Sequence, residues 1–274
     1  MQVQKQARHL ARMKWQKPFF VSIIIFMSFL IIVGGTLLFS SDRANAQGAH
    51  LSRNSSGIMN AVVYDVTHHR YSTYNAPGQF ITASSMKVPI LLTFLNMIEW
   101  QGRGPTNREM GLLTTMIENS NNASASALYY GEIGGAAGVT RFFQRIGITG
   151  LYPNPNAWGY SLITPLTMVN LLTRLYQGTI LTAHDRNLAL SLMERVEADQ
   201  RGGVGDTAPI GATVAMKDGW VIGPDGLWAV NSSGIVTLAR ETYIIAVYTK
   251  GEPSVGAGLN VIRQICRTVA SQLH

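Results

Sequence analysis

One cysteine in 274 residues, Cys266, excludes an internal disulfide and any cysteine-rich metal cluster. Charge is scarce at 14%, whereas 46% of the chain is apolar, a balance that excludes disorder and supplies a sizeable core. The six histidines are His9, His50, His68, His69, His184 and His274. No H-x-x-E-H or H-E-x-x-H spacing and no His-Asp cluster is apparent among them, so neither a metal nor any other cofactor is expected. None has the surroundings of a nucleophile elbow either, which argues against a Ser-His-Asp triad.

Acidic residues are absent before Asp42, while Lys5, Arg8, Arg12, Lys14 and Lys17 precede it. Those five account for most of the net charge of +7, since removing them from the 22 basic residues leaves 17 against 15 acidic ones. The body is nearly neutral, so a nucleic-acid partner is not expected. The cations lead directly into "FFVSIIIFMSFLIIVGGTLLF", residues 19–39, which carries no charge. Its length suits the roughly 20 residues that span a bilayer, and the positive-inside rule puts the N-terminus in the cytoplasm. "ANAQ" at Ala44–Gln47 also reads as an A-x-A cleavage site. The expected localisation is therefore extracytoplasmic, with the chain either anchored in the cytoplasmic membrane by residues 19–39 or released after cleavage near Ala46. The expected organisation is a basic segment and signal or anchor helix over 1–41, a polar linker over 42–57, and one globular domain over 58–274.

Within that domain the hydrophobic periodicity predicts strands over 60–66 and 70–75, joined by a turn that carries His68 and His69. Helices are expected over 84–99, from the capping box of Thr106 and Glu109, near 122–131, 136–146, 165–177 and 183–198, and over 255–272. Thr164 and Pro165 supply the N-cap and first position of the helix at 165. Strand patterns recur at 213–217, 227–238 and 243–249. This order fits an α+β fold, an antiparallel sheet whose first and last strands come from distant parts of the chain, flanked by helices. Cys266 lies in the apolar stripe of the last helix and is expected as a small buried hydrophobe.

The chemistry is read from "ITASSMKVPILL", residues 81–92. Ser84 and Lys87 stand one helical turn apart, and a serine needs a neighbouring base before it becomes a nucleophile. Burial of a lysine disfavours its charged form and makes it such a base. Ser120-Asn121-Asn122 follows at a junction of two expected helices, and Lys217-Asp218-Gly219 at the end of an expected strand. Another S-x-N, Ser52 to Asn54, lies upstream and is assigned to the linker.

S-x-x-K, S-x-N and K-x-G in that order resemble the signature of penicillin-recognising serine enzymes, and of class A β-lactamase-like hydrolases in particular. The resemblance extends over most of 58–273, including "IGG" at 133–135 and "MERVEADQ" at 193–200. It implies a β-lactamase/DD-peptidase-like fold, acylation of Ser84 with Lys87 as base, and Ser120 as proton donor to the leaving nitrogen. Asn122 would hold the substrate's side-chain amide, Lys217 would supply charge beside Ser120, and Gly219 would let substrate lie along the strand. The oxyanion hole would be the N–H groups of Ser84 and Trp220. The implied partner is a small-molecule or peptidoglycan-like substrate with a β-lactam or related amide bond.

Three departures qualify the implied activity. The loop at 147–164 has no acidic residue where class A enzymes carry the glutamate that activates the deacylating water, so release is expected to be slow unless Lys87 or Tyr160 substitutes. Glu118 and Glu132 are expected as exposed surface charges. Asp218 stands where the family has Thr or Ser, and an anion facing a penicillin carboxylate would repel it unless protonated or turned away. Only 36 positions separate Ser84 from Ser120, which predicts a reduced helical subdomain and an open cleft. The alternatives are a penicillin-binding DD-peptidase-like enzyme and a catalytically silent cell-envelope binding protein.

Overall fold

Residues 57–75 and 77–272 are described by the computed structural model. The apolar run at 19–39, the proposed cleavage site and most of the linker lie outside them. Among the described residues no helix is long and apolar enough to cross a membrane.

The chain enters as a hairpin of β1 (Ile58–Asp65) and β2 (Arg70–Tyr74), followed by a short β3 (Phe80–Ile81). A 3-10 turn, Ala83–Met86, runs into α1 (Lys87–Trp100), and α2 (Asn107–Glu118) follows. Next come α3 (Asn122–Ser126), extended by a π turn at Ala127–Glu132, and α4 (Gly135–Arg145). β4 (Leu151–Tyr152), a 3-10 turn at Trp158–Tyr160 and β5 (Leu162–Ile163) lead to α5 (Pro165–Gln177), α6 (Ala183–Glu194) and α7 (Val204–Thr207). Three long strands, β6 (Thr213–Ile222), β7 (Trp228–Leu238) and β8 (Glu241–Glu252), precede the closing α8 (Val255–Gln272).

The main sheet is antiparallel in the order β2-β1-β8-β7-β6. Ile58 opposes Lys250 and Asp65 opposes Tyr243, so the first long strand pairs with the last, within the antiparallel sheet of strands from distant parts of the chain that the sequence pattern predicts. β3, β5 and β4 form a second, three-stranded sheet that periodicity did not reveal. Two residues per strand are too few to display an alternation.

Strand alternation sorts the side chains into two cores. Ala215, Ile235, Ile244, Ala246 and Tyr248 face the larger one, under the helices of the middle of the chain. Val214, Met216, Val236, Ile245 and Val247 face the smaller one, where Val261, Ile262, Ile265 and Val269 of α8 cover them. Cys266 is buried there too, and burial pushes its thiol up to about 12, which makes it an inert hydrophobe.

Helix ends follow their local chemistry. Thr106 Oγ1 accepts from Glu109 N–H at 3.3 Å, and the Glu109 carboxylate accepts from Thr106 N–H at 2.7 Å, completing the capping box. Thr164 caps α5 with Pro165 in its first turn. α1 is apolar almost all round and is buried on every side, as expected of a central helix. Pro89 is tolerated because it occupies the first turn, where its missing N–H has no intrahelical partner.

α8 approaches the sheet closely at Gly258. A Cβ there would meet Val230 Cγ2 at 2.6 Å and Cβ at 2.7 Å. Gly258→Ala is therefore expected to lower unfolding free energy by about 1–3 kcal/mol through overpacking, despite alanine's better helix propensity, as read from urea denaturation.

Candidate active site

Ser84 lies in the 3-10 turn that leads into α1, one turn before Lys87. Lys87 is fully buried, and its Nζ lies 2.8 Å from Ser84 Oγ, 2.9 Å from Ser120 Oγ, 2.7 Å from the Ser120 carbonyl and 2.8 Å from Asn122 Oδ1. Three of the residues singled out in the sequence thus converge, through four acceptor atoms, on the nitrogen of a fourth. An ammonium has only three N–H bonds for these acceptors, whereas a neutral amine donates two and turns its lone pair to the Ser84 hydroxyl. Burial, and then the nearby Lys217 charge, push Lys87 down to about 7. Its shell contains no carboxylate, so the amine and ammonium forms are balanced near neutrality.

Backbone strain accompanies this convergence. Ala83, immediately before Ser84, has φ +46°, and Ser120 has φ +55°. Left-handed conformations cost non-glycine residues about 1–3 kcal/mol and persist only where the surroundings enforce them. At Ser120 the next residue, Asn121, caps α3 by accepting from Ser124 N–H at 2.9 Å. Thr115 Oγ1 hydrogen-bonds Ser124 Oγ at 2.8 Å and ties the turn to α2.

β6 forms the opposite wall, at the free edge of the sheet. A Cβ on Gly219 would stand 2.6 Å from Ser84 N and 2.7 Å from Ser85 N, so only glycine lets the strand pass this close to the nucleophile's backbone. Trp220 lines the same cavity with Ser84, Asn122, Tyr130 and Trp158. Its ring packs against the smaller core, so only its backbone remains a candidate for the oxyanion hole. Lys217 is fully buried, and its ammonium donates to the Asp218 carbonyl at 3.2 Å. Its charge is felt at Lys87, but no hydrogen bond joins it to Ser120.

Asp218 requires a correction. Strand alternation puts it with Met216 and Val214, beneath α8, rather than in the cleft with Lys217 and Gly219. It is wholly buried, and neither oxygen has a well-formed hydrogen bond, although the Ser232 hydroxyl and Gly202 backbone lie beside it. Burial pushes this carboxyl up from 3.8 to about 8. A repulsion between Asp218 and a penicillin carboxylate is therefore not supported by this geometry.

The loop at 147–164 offers an aromatic wall. The Trp158 ring lies 5.0 Å from Lys87 Nζ, and its Nε1 donates to Ser126 Oγ at 3.0 Å. Tyr160 Oη donates to the Ile222 carbonyl at 3.1 Å, not to the lysine shell, so it is not poised as the missing base. Glu118 and Glu132, expected as exposed charges, are half-buried and paired with Arg195 and Arg108. Neither reaches Lys87.

Sequence reasoning missed Trp158 and Asn231. Asn231 Nδ2 donates to the Thr82 carbonyl at 2.9 Å and the Ile81 carbonyl at 3.3 Å, pinning the strand that leads to Ser84. Ser85 Oγ donates to the Thr82 carbonyl at 2.7 Å and meets Tyr248 Oη at 2.9 Å, fixing the same turn from below. An asparagine in "AVNSSG" carries no motif, but the aromatics of an otherwise acid-free loop were a usable signal. The sequence also suggested no His-Asp cluster, yet Asp65, His68 and Glu241 bring ligand atoms within 4.8 Å of one another. Asp65 is already paired with His68 at 2.9 Å and Arg70 at 3.3 Å, at the end of β1 beside the edge strand β2.

The family model of the beta-lactamase enzyme family matches residues 108–273. The chain belongs to this family of serine hydrolases acting on amide bonds. Its fold is shared by the TLA-3 extended-spectrum beta-lactamase, with a TM-score of 0.77 at 18% identity, covering 85% of this chain and 99% of that one. A beta-lactamase from Chitinophaga pinensis gives 0.74 at 19% identity, covering 85% and 100%. A mutant of PBP-A in its acyl-enzyme complex with penicillin G gives 0.70 at 23% identity, covering 82% and 93%. No curated protein matches the chain. The neighbours bear on the fold alone, and the β-lactamase/DD-peptidase-like α+β architecture expected from the motifs is the one observed.

Two outcomes test the site's packing and electrostatics. Gly219→Ala should reduce any Ser84 acylation about a hundredfold by displacing the nucleophile's backbone, read by intact mass against time. A carboxyl raised from 3.8 to about 8 contributes stability fully below the lower value and loses it as pH rises through the upper one. Wild-type Tm should therefore fall between pH 4 and 8 more steeply than that of Asp218→Asn, in parallel thermal melts.

Proposed function

We propose that this protein is an exported acyl-serine enzyme that reacts with β-lactams or related peptide-like amides and releases its acyl group slowly. The observation that carries the reading is the Lys87 amine, held at 2.8 Å from Ser84 Oγ and 2.9 Å from Ser120 Oγ with no carboxylate in its shell. Neutral Lys87 takes the Ser84 proton as Oγ attacks the carbonyl. The Ser84 N–H, near the N-terminal end of α1, and the Trp220 N–H receive the developing oxyanion. Ser120 passes its proton to the departing nitrogen and is reprotonated from Lys87, which returns the amine to its starting state. Asn122, exposed on the cleft side of the same shell, is available for the substrate's side-chain amide, and Lys217 adds positive potential to the wall.

Deacylation needs a base for water. The acid-free loop supplies none, Tyr160 is engaged elsewhere, and Lys87 is the remaining basic group in contact with Ser84. An acyl-enzyme that accumulates is the consequence; a mutant of PBP-A, a protein of this fold, forms an acyl-enzyme with penicillin G, which supports the acylation step alone. This favours a penicillin-binding, DD-peptidase-like reactivity over rapid β-lactam turnover. The intact serine–lysine shell weighs against a silent binding protein. Export is supported by the cationic flank before the apolar run at 19–39.

The purified full-length chain in detergent, mixed with 6-aminopenicillanic acid and followed by intact mass, and separately mixed with a chromogenic cephalosporin, distinguishes these readings. A stoichiometric adduct on Ser84 that outlasts steady hydrolysis is expected, with none in Ser84→Ala. No adduct and no hydrolysis with several lactams and acyl-D-alanyl-D-alanine peptides would reject the proposal. Lys87→Ala should slow acylation by about 10²–10⁴-fold. Because the base must be neutral, the acylation rate should climb through pH 7 and level off above pH 8, following the lysine's value of about 7.

A further inference from the structure

The cleft beside Ser84 is divided in two. A cavity of about 250 Å³ contains Ser84, and its walls include Trp158 and Tyr160 from the loop and Trp220 and Val221 from β6. A second, of about 500 Å³, begins just beyond, between Ile81 and Leu162 on one side and the Gly223–Leu227 turn on the other, with Lys250 at its border. Along the loop the lining changes from the first cavity to the second between Tyr160 and Leu162. Along β6 it changes between Val221 and Gly223. The hydrogen bond from Tyr160 Oη to the Ile222 carbonyl spans the cleft at that changeover.

We propose that the Tyr160–Ile222 bridge is the specificity determinant of this site, admitting substrates with a compact group on the acyl side and turning away those whose chain must continue along β6. The inference rests on the proposed acylation of Ser84 and names the substrate class for it. β6 is an edge strand, so an extended acyl chain adds to it by backbone hydrogen bonds. Tyr160 already occupies the Ile222 carbonyl and sets its ring across the path, so such a chain runs out of strand after Val221. Both residues are substantially exposed, Tyr160 at 41% and Ile222 at 48%, so the bridge is one hydrogen bond at the rim and not part of the core. Removing the ring joins the small cavity to the large one without disturbing the lysine shell, to which Tyr160 makes no hydrogen bond.

The test uses two series of probes on the full-length chain. The first compares acylation of Ser84 by 6-aminopenicillanic acid, which has no acyl side chain, with acylation by a penicillin carrying a large fluorophore on its side-chain amide. The second is independent of lactam chemistry: Ser84→Cys is labelled with methyl methanethiosulfonate and with a fluorescein maleimide, buried Cys266 being the background measured in the parent chain. Tyr160→Ala should raise the large-to-small rate ratio about tenfold in both series, and Tyr160→Phe, which keeps the ring and loses the bridge, should raise it less. An unchanged ratio in the thiol series with Tyr160→Ala overturns the inference. A changed thiol ratio with no reaction of either lactam upholds the division of the cleft and rejects the proposed acylation instead.

Discussion

Everything around Ser84 depends on keeping one lysine dry. A buried amine is tolerated only where its hydrogen-bonding capacity is met, because an unsatisfied polar group in a protein interior costs several times what an ordinary hydrogen bond contributes. Here the partners are Ser84, Ser120 and Asn122, and each is held by something other than Lys87. The turn bearing Ser84 is tied down through Ser85, Thr82 and Asn231, while the S-x-N turn is tied down through the Asn121 cap and the Thr115–Ser124 bond. The left-handed backbones of Ala83 and Ser120 are the strain that this enforcement absorbs. α1 brings the burial, since its sides are packed into the larger core and leave its first residue no route to water.

β6 carries the same logic to the other wall. Its odd positions, Lys217 and Gly219, face the cleft and its even positions face α8, so one strand couples a reactive surface to a structural core. The neighbours Lys217 and Asp218 sit back to back, both buried, and burial pushes each toward its neutral form. A proton gained or lost beneath α8 therefore alters the field at Lys217 and, through it, at Lys87. Asp218, the middle position of the K-x-G segment, is buried behind the strand rather than in the cleft.

The sheet and long helices were legible because their periodicities run for many residues. Thr106 with Glu109 and Thr164 with Pro165 marked two helix starts to the residue. β3, β4 and β5 were hidden because two residues have no period. The reactive shell was legible through the order of three short motifs; the spacing of Ser84 and Lys87 alone would equally suit a solvated helix start. The direction of Asp218 was available from alternation once β6 was seen to extend to Ile222, but the expected strand stopped at Lys217. Asn231 and Trp158 act through long-range contacts, 149 and 71 positions from Thr82 and Lys87, and no local pattern encodes such distances.

Trp158 sharpens the contrast between the two halves of the reaction. Its ring, 5.0 Å from the Lys87 nitrogen, offers a π-face to the cation that the proposed transfer of the serine proton to the lysine would form. The same ring excludes water from the lysine and has no lone pair with which to take a proton from it. A carboxylate in that position would hold Lys87 as an ammonium and would activate water, lowering the fraction of free amine before acylation while opening a route to release. The aromatic wall reverses both effects. A dry, carboxylate-free lysine near its own pKa is suited to the proposed first proton transfer, and the same features offer no second base for the proposed hydrolysis of the ester.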